Sequence, residues 1–394
     1  MVEEKDLTIM KYIRTYETKE KFLADKDSMS RGFRLKPTLY KYSEVGDHVH
    51  LEIDDPRKHG DSTWMRLEFD WDTTFSFKIS NVTGDDSNTL SYTIDWGDGT
   101  VETNTATRGD DGLYTFTHNY DRDSGLIYDI ELYGTDRSYM LVGDSENWGV
   151  YFLPIPCVVR RVILGDGVEV GGFAFYCCES LTSINLPSTL TSIGAHAFST
   201  NLFTSINIPE SVTSIGRDAF SSCYNLTSIN IPDGVTSIGD YMFNGCTSLT
   251  SINIPEGVTS IGRGSFGGCT SLTSFNIPEG VTSIGGRMFE GCTSLTSFNI
   301  PEGVTSIGEN AFNYCTSLTS INLPSTLISI DNLVFNECTS LTSIYSYNTV
   351  APTIGTDVFK YTPSNGTLHI KPGATGYDAW LSKLPSGWVI VEDL

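Results

Sequence analysis

The stretch LTSINIPEGVTSIGRGSFGGC, residues Leu249 to Cys269, recurs with small changes along residues 159–345. Successive copies are about 23 residues apart, and one copy, between Phe198 and Phe220, is shorter by one residue. A short fixed period is typical of a solenoid, in which each unit packs only on its neighbours. The sequence therefore predicts a stack of roughly eight to nine coils, an extended scaffold more typical of binding than of catalysis.

Two columns of the repeat are predicted to fill the interior together with Leu and Ile positions. The Phe column consists of Phe175, Phe198, Phe220, Phe243, Phe266, Phe289, Phe312 and Phe335. The Cys column consists of Cys178, Cys223, Cys246, Cys269, Cys292, Cys315 and Cys338. A cysteine among apolar neighbours behaves as a small hydrophobic residue, so we expect free thiols rather than disulfides or a zinc site.

Each copy is predicted to contain two short extended stretches. Ile252-Asn253-Ile254 alternates apolar and polar residues, which indicates a strand with one buried face that ends at Pro255. Val258 and Ile261 point inward on a second stretch. Arg263 to Cys269 then closes the coil as a helical turn or an irregular loop.

The alternation also predicts a polar face along the first stretch of each copy, where the outward residues repeat. These candidate binding residues are Ser228, Asn230, Ser251, Asn253, Ser274, Asn276, Ser297, Asn299, Ser320 and Asn322. At the next corner an acidic row follows, formed by Glu210, Asp233, Glu256, Glu279 and Glu302. Such a surface fits a protein or a glycan, although stacked amides also stabilise themselves without any ligand.

The repeat resembles the BspA-like, or treponemal-type, leucine-rich repeats over residues 159–394. The matching features are the 23-residue period, the Leu-Thr-Ser-Ile-x-Ile-Pro strand, the Ser-Ile-Gly turn and the Ala-Phe-x-x-Cys closure. The resemblance implies noncatalytic binding, chiefly adhesion to host proteins or cells, and carries over no catalytic residue. It also implies a closing unit after residue 345, where Tyr377, Trp380 and Trp388 would cover the last coil.

The first half of the chain reads as a series of strands, among them Thr38 to Tyr42, His48 to Ile53, Met65 to Phe69 and Phe75 to Ile79. This spacing suggests a β-sandwich. Residues 65–145 also resemble a PKD-type immunoglobulin-like domain through Trp96-Gly97-Asp98-Gly99 and Thr117-His118-Asn119-Tyr120. That resemblance implies a spacer or a protein-contact module.

Together these features predict a mostly β protein: an N-terminal arm and an immunoglobulin-like β-sandwich, followed by a leucine-rich-repeat β-solenoid with a C-terminal cap. The predicted boundaries are 1–36 for the arm, 37–150 for the sandwich, 151–345 for the solenoid and 346–394 for the capping unit.

The formal net charge of −23 argues against nucleic acid or an anionic membrane as a partner. Residues 1–36 carry nine basic and seven acidic residues, so a mildly basic arm precedes an acidic body. This arm fits attachment to an acidic neighbour, a second copy of the chain included. No apolar run suits a transmembrane helix, and the first residues lack the apolar core of a signal peptide.

The sequence gives little support for a catalytic site, a cofactor site or a metal site. No phosphate loop, nucleophile elbow or HExxH motif occurs, so no catalytic or cofactor residue is predicted. His48 and His50 share one strand face but lack a third metal ligand. Asp-rich turns at Asp85-Asp86, Asp110-Asp111, Asp121 and Asp123 offer oxygen ligands for calcium, yet none has EF-hand spacing, which favours solvated turns.

The sequence thus predicts a noncatalytic interaction protein, on a virion surface or extracellular, that binds host protein or glycan. Tyr16 to Met29 is weakly similar to leader segments of phage and prophage proteins, which favours a phage virion structural or decoration protein. A bacterial cell-surface adhesin and an intracellular scaffold are the alternatives.

Overall fold

The computed structural model describes residues 168–394 continuously, residues 159–165, and before them only the strands given below. The chain divides into two compact units, Met1–Ser62 and Thr63–Leu394. Nearly all regular structure in the described residues is β-strand, which confirms the predicted mostly β class.

The first unit contains one antiparallel sheet of three strands. They are β1 (Thr15–Tyr16), β2 (Tyr40–Val45) and β3 (His48–Ile53), with β3 in the middle. The rest of the predicted arm, residues 1–36, lies outside the described residues.

The second unit begins with antiparallel strands. They are β4 (Trp64–Phe69), β5 (Thr74–Asn81), β6 (Thr89–Asp95), β7 (Val101–Thr107), β8 (Tyr114–Asn119), β9 (Tyr128–Gly134) and β10 (Met140–Val142). β6 and β7 pair as a hairpin, with Asp95 opposite Val101. The predicted strands near Met65–Phe69 and Phe75–Ile79 are confirmed, whereas Trp96 to Gly99 lie outside the described residues.

Two ladders of short parallel strands build the solenoid of about ten turns. The first ladder consists of β11 (Val159–Leu164), β13 (Ser183–Asn185), β15 (Ser205–Ile206), β17 (Ser228–Ile229), β21 (Ser297–Asn299), β23 (Ser320–Leu323), β25 (Ser343–Ser346), β27 (Thr367–Ile370) and β28 (Val389–Glu392). The second ladder consists of β12 (Val168–Val170), β14 (Ser192–Ile193), β16 (Ser214–Ile215), β18 (Ser237–Ile238), β19 (Ser260–Ile261), β20 (Ser283–Ile284), β22 (Ser306–Ile307), β24 (Ser329–Ile330) and β26 (Thr353–Ile354).

The antiparallel strands cover the N-terminal edge of both ladders. β11 pairs antiparallel with β4, and β12 pairs with β10, which is itself antiparallel to β5. Each ladder therefore continues into a six-stranded sheet. An uncovered sheet edge would leave a row of unpaired backbone groups, so this junction protects the first coil.

The Phe column forms a continuous spine inside the solenoid, as predicted. Consecutive rings lie nearly parallel, with centroids 5.4–5.9 Å apart from Phe175 to Phe335. Phe359 extends the spine, with its ring 5.7 Å from that of Phe335. All of these side chains are buried.

The segment that closes each coil is a repeated turn rather than the helical turn or irregular loop that the sequence suggested. The second residue before and after each spine Phe has a left-handed backbone, as Tyr241 (φ 53°) and Gly245 (φ 75°) show around Phe243. The turn also pairs with its neighbour, because Phe243 N–H donates to Ser265 O at 2.8 Å. These bonds between coils repeat along the stack and satisfy buried backbone groups.

The C-terminal residues cover the last coil. Helix α1 (Asp378–Leu381) places the buried Trp380 ring 5.8 Å from Phe359, and Trp388 lies 6.3 Å from the same ring. Trp380 donates to Pro352 O at 3.0 Å, and Lys383 donates to Ile354 O and Gly355 O at 2.9 and 2.6 Å. Aromatic rings therefore close the spine, and side-chain donors close the end of the second ladder.

Replacing Phe266 or Phe289 with Ala should lower the free energy of unfolding by about 3–5 kcal/mol each, because each removes a ring from the middle of the spine. Urea unfolding followed by circular dichroism measures this. Tyr224, half-exposed on the same solenoid, provides the control, and its change to Ala should cost far less. Equal costs at the three positions would contradict the assignment of the spine to the core.

Candidate binding face

The ten predicted binding residues lie on the solvent side of the first ladder's coils. We call them the Ser–Asn face. Eight of the ten are exposed, and Ser320 and Asn322 are half-buried. The residues between them turn inward: Ile229, Phe298 and Ile321 are at most 7% exposed, and Ile252 and Phe275 are half-buried. The structure therefore places the predicted residues on one common surface.

Like residues align along this face because each coil repeats the previous one. Ser228 lies beside Ser205, and Asn253 beside Asn230. Asn322 donates its side-chain amide to the Asn299 carbonyl oxygen at 3.2 Å. This last contact is the self-stabilising amide ladder that the sequence also allowed, so part of the face's hydrogen-bonding capacity is used internally.

Threonine and serine play different parts beside the Asn column. The Thr319 hydroxyl donates to Thr296 O at 2.9 Å, and the Thr227 hydroxyl donates to Thr204 O at 3.1 Å. The threonines thus join consecutive coils. The neighbouring exposed serines, such as Ser228 and Ser251, present their hydroxyls to solvent.

The middle of the Ser–Asn face lacks regular strand pairing. Between Ile229 and Ser297, the described first ladder contains only the single bridge from Asn230 to Asn253. Phe275 replaces the Ile of this column, and its half-buried ring lies 4.7 Å from Phe266 and 4.9 Å from Phe289. A phenyl ring is wider than an Ile side chain, and the Phe275 ring lies between two spine rings in the stretch that lacks strand pairing.

The acidic row lies at the corner that follows the Ser–Asn face, and all five of its residues are exposed. Glu302 accepts hydrogen bonds from Ser325 N–H at 3.0 Å and from the Ser325 hydroxyl at 2.8 Å. The bond from the Ser325 backbone is the main reason that the pKa of Glu302 lies below its ordinary value. The row makes this corner anionic at neutral pH.

Aromatic residues replace Asn at the C-terminal end of the face. Tyr345 and His369 follow Asn322 in register, and their rings stack with centroids 4.4 Å apart. Asp393 lies 3.0 Å from His369 Nδ1. The polar columns thus change character in the last coils, which the sequence pattern alone did not reveal.

The Cys column is unsuited to ligand binding because it lies in the dry interior. From Cys223 to Cys338, each thiol donates to the carbonyl of a spine Phe in the preceding coil at 3.1–3.3 Å, as Cys292 does to Phe266 O. Burial raises the pKa of Cys223, Cys292 and Cys338 to about 12. A thiol held in its neutral form is a poor nucleophile and a poor metal ligand.

One titratable pair was missed by the sequence reasoning. His196 Nε2 lies 3.6 Å from Asp218 Oδ2 on the closing turns of neighbouring coils, and the His196 ring stacks on Phe173 at 4.6 Å. Burial lowers the pKa of His196 and raises that of Asp218. Both occupy the left-handed position before the spine Phe, so their 22-residue spacing could have signalled the contact.

The His and Asp side chains considered for metal binding in the sequence analysis lie outside the described part of the chain. The calcium-candidate turns (Asp85-Asp86, Asp110-Asp111, Asp121 and Asp123) and the side chains of His48 and His50 lie outside it. Among the described residues, no three His, Cys, Asp or Glu side chains cluster to hold a metal ion. Nor does any helix in that part have the length and apolar character to cross a membrane.

Comparison with known proteins identifies the repeat. The profile of the BspA type leucine rich repeat region matches residues 168–285 and 259–376. No curated protein sequence gives a significant match.

Three solved structures are similar to part of the chain. A leucine rich cell surface protein from Faecalibacterium prausnitzii is 31% identical, with a TM-score of 0.38, and the match covers 48% of this chain and 59% of that protein. A leucine rich repeat protein from Treponema pallidum is 24% identical, with a TM-score of 0.39, covering 52% and 84%. The pneumococcal vaccine antigen PcpA is 17% identical, with a TM-score of 0.43, covering 60% and 68%.

Replacing Phe275 with Ile should restore strand pairing in the middle of the face, because Ile is the residue that stands at the well-paired positions 229 and 321. Hydrogen exchange followed by mass spectrometry should then show slower exchange of the amides of residues 251–254 and 274–277. The matched control is Thr273→Ser, a surface change in the same coil, which should leave exchange unchanged. Unaltered exchange in the Phe275→Ile variant would show that the Phe275 ring does not cause the missing strand pairing.

Raising the pH should destabilise the solenoid through its buried thiols. Their ordinary pKa is 9.0, and in the folded chain that of Cys292 is about 12. The stabilisation is therefore complete below pH 9.0 and is lost as the pH rises towards about 12, because only the unfolded chain releases the protons. Cys223, Cys292 and Cys338 each contribute a slope of about −1.4 kcal/mol per pH unit in this window.

Urea unfolding at a series of pH values measures that slope. Cys292→Ser keeps a donor for Phe266 O but removes the titration, so its slope should be shallower by about one thiol's share. The same slope in both proteins would contradict the assignment.

Proposed function

The chain belongs to the BspA-type leucine-rich repeat family, and we propose that it is a noncatalytic interaction protein that presents its Ser–Asn face to a protein or glycan on a host surface. The observation that carries this proposal is the alignment of exposed Ser and Asn side chains along successive coils, with the apolar residues between them turned inward. Rows of hydroxyls and amides at a fixed spacing offer many weak hydrogen bonds to an extended partner.

The partly opened middle of the face supports binding there in particular. Ile252 and Phe275 are half-buried, whereas the equivalent Ile321 and Ile344 are fully buried. A ligand at this point would meet both hydrogen-bonding groups and apolar surface. Binding sites commonly combine an apolar floor with a few fixed polar groups.

We propose that residues 37–150 act as a spacer between the solenoid and an attachment arm at residues 1–36. The antiparallel strands β4 to β9 agree with the predicted immunoglobulin-like sandwich, and the β6–β7 hairpin with the PKD-like motif at Trp96 to Gly99. The arm's slight excess of basic residues favours contact with an acidic surface or virion protein. The solenoid at 151–345 and the capping unit at 346–394 then carry the binding face.

For the setting we propose a phage virion, where the chain serves as a structural or decoration protein. The similarity of Tyr16 to Met29 to phage leader segments supports it. The alternative is a bacterial cell-surface adhesin, which membership of the BspA-type family favours. Proteomics and immunogold electron microscopy of purified virions and of the producing cells decide between them. Label on cells alone would overturn the virion setting.

Variants of the face test the binding proposal. Ser251→Arg combined with Ser274→Arg should weaken binding at least about tenfold, because two long charged side chains would cover the middle of the face. The probes are a mammalian glycan array, immobilised mucin and intact epithelial cells.

The matched control uses the same residue type on the second ladder. Ser260→Arg with Ser283→Arg alters exposed positions of neighbouring coils and should leave binding unchanged. Loss of binding in the control alone, or in both pairs equally, would contradict a role for the Ser–Asn face. Released sugars in the glycan incubations would indicate an enzyme instead.

A further inference from the structure

We propose that two copies of the chain pair edge to edge through strand β28, Val389–Glu392, so that their Ser–Asn faces join into one surface. The proposal does not depend on what the face binds. It rests on the last strand of the first ladder, where both the side chains and the backbone depart from the pattern of the other coils.

Along the run of strands from β21 to β28, the outward columns of the first ladder become apolar on β28. One column runs Ser297, Ser320, Ser343, Thr367 and ends at Val389. The other runs Asn299, Asn322, Tyr345, His369 and ends at Val391. Val389 is 53% exposed and Val391 is 38% exposed. These two valines form a small apolar patch on the edge strand, where a second strand could cover them.

Among the residues that the structure describes, none bonds to the outer backbone edge of β28, in contrast to the other ladder ends. β4 and β10 cover the first strands of the two ladders, and Trp380 and Lys383 donate to carbonyls at the end of the second ladder. β28 bonds to β27 on its inner side, since Val389 N–H donates to Gly366 O and Asp393 N–H to Ile370 O. Backbone groups alternate along a strand, so those of Ile390 and Glu392 point away from the solenoid.

This geometry selects one twofold register. An antiparallel pair with Ile390 opposite Ile390 of a second copy lets the two residues exchange both backbone hydrogen bonds. Val389 of each copy then lies opposite Val391 of the other, and all four valines share the solvent side. The acidic groups lie outside the Val-Ile-Val centre: Asp393 contacts His369, and the Glu392 carboxylate accepts Gly373 N–H at 2.9 Å.

A second copy fits this edge better than a strand of unrelated sequence. Val389, Ile390 and Val391 are nearly palindromic in shape, so the strand is complementary to itself when reversed. A twofold axis normal to the sheet keeps both Ser–Asn faces on the same side, which doubles the length of the face. A four-residue edge buries little area, so the pairing is expected to be weak, and the net charge of −23 on each chain opposes it.

Sedimentation of the full chain over a concentration series tests the association. The native chain should form dimers at high concentration, and more of them at high salt, because salt screens the repulsion between copies. Val391→Lys should stay monomeric with an unchanged unfolding midpoint, whereas Tyr224→Lys, a half-exposed position far along the solenoid, should dimerise as the native chain does. A native chain that is monomeric at all concentrations, or a Val391→Lys variant that dimerises equally, would overturn the proposal.

Oxidative cross-linking tests the register. In the proposed pair, position 389 of one copy lies about 4.5 Å (Cα to Cα) from position 391 of the other, within the range that a disulfide spans. Position 389 of one copy is about 7–8 Å from position 389 of the other, which is too far. A mixture of Val389→Cys and Val391→Cys chains should therefore form covalent dimers, and either variant alone should not, with the native chain as the background control. Cross-linking of Val389→Cys alone, as readily as in the mixture, would refute this register.

Discussion

Contact between successive phenylalanine rings is the interaction on which the solenoid depends. Each ring lies parallel to the next at 5.4–5.9 Å, a spacing that fits only if every coil repeats the backbone path of the one before it. An aromatic side chain buries a large apolar area, so the column supplies much of the energy that holds the coils together. The ladders of backbone hydrogen bonds then follow, because coils held in register bring like peptide groups beside one another.

The spine also explains the column of cysteines. A spine Phe carbonyl accepts the backbone N–H of the residue three positions on, and the thiol of the following coil is a second donor, as Cys223 N–H and the Cys246 thiol are for Phe220 O. Two exceptions show that the column needs a small buried donor rather than sulfur chemistry. In the coil that precedes the shortened step, Asn201 stands at the Cys position and donates to Phe175 O and Phe198 O. In the last coil Thr362 stands there and donates to Phe359 O.

How much the sequence could predict follows from the same repetition. Residues that recur at a fixed interval, such as Phe266 and Ser251, could be assigned to the core or to the surface, because one copy determines all the others. The closing turn was harder to predict, since its left-handed residues include Tyr241, Arg287 and Leu333, whose side chains give no common signal for that backbone. Contacts between unlike residues of adjacent coils, such as His196 with Asp218, require the exact lateral offset of the coils and not only their period.

A stack of repeats does not end by itself, because each coil offers the next one the same surface. The two ends of the solenoid are therefore closed by residues that depart from the repeat. At the first coil the neighbouring strands change from parallel to antiparallel, as β11 does between β13 and β4. At the last coil the second ladder is closed by an indole and an ammonium group that donate to its carbonyls. The first ladder ends on β28, whose outward residues are valines and whose outer edge no described residue pairs with. Every interior coil presents much the same surface. The residues that distinguish this chain from a stack of identical repeats are therefore those that depart from the pattern. They are Phe275 in the middle of the Ser–Asn face, Tyr345 and His369 near its end, and Val389 with Val391 at its edge. A selective partner must recognise them, since the repeated Ser and Asn columns present the same groups in coil after coil.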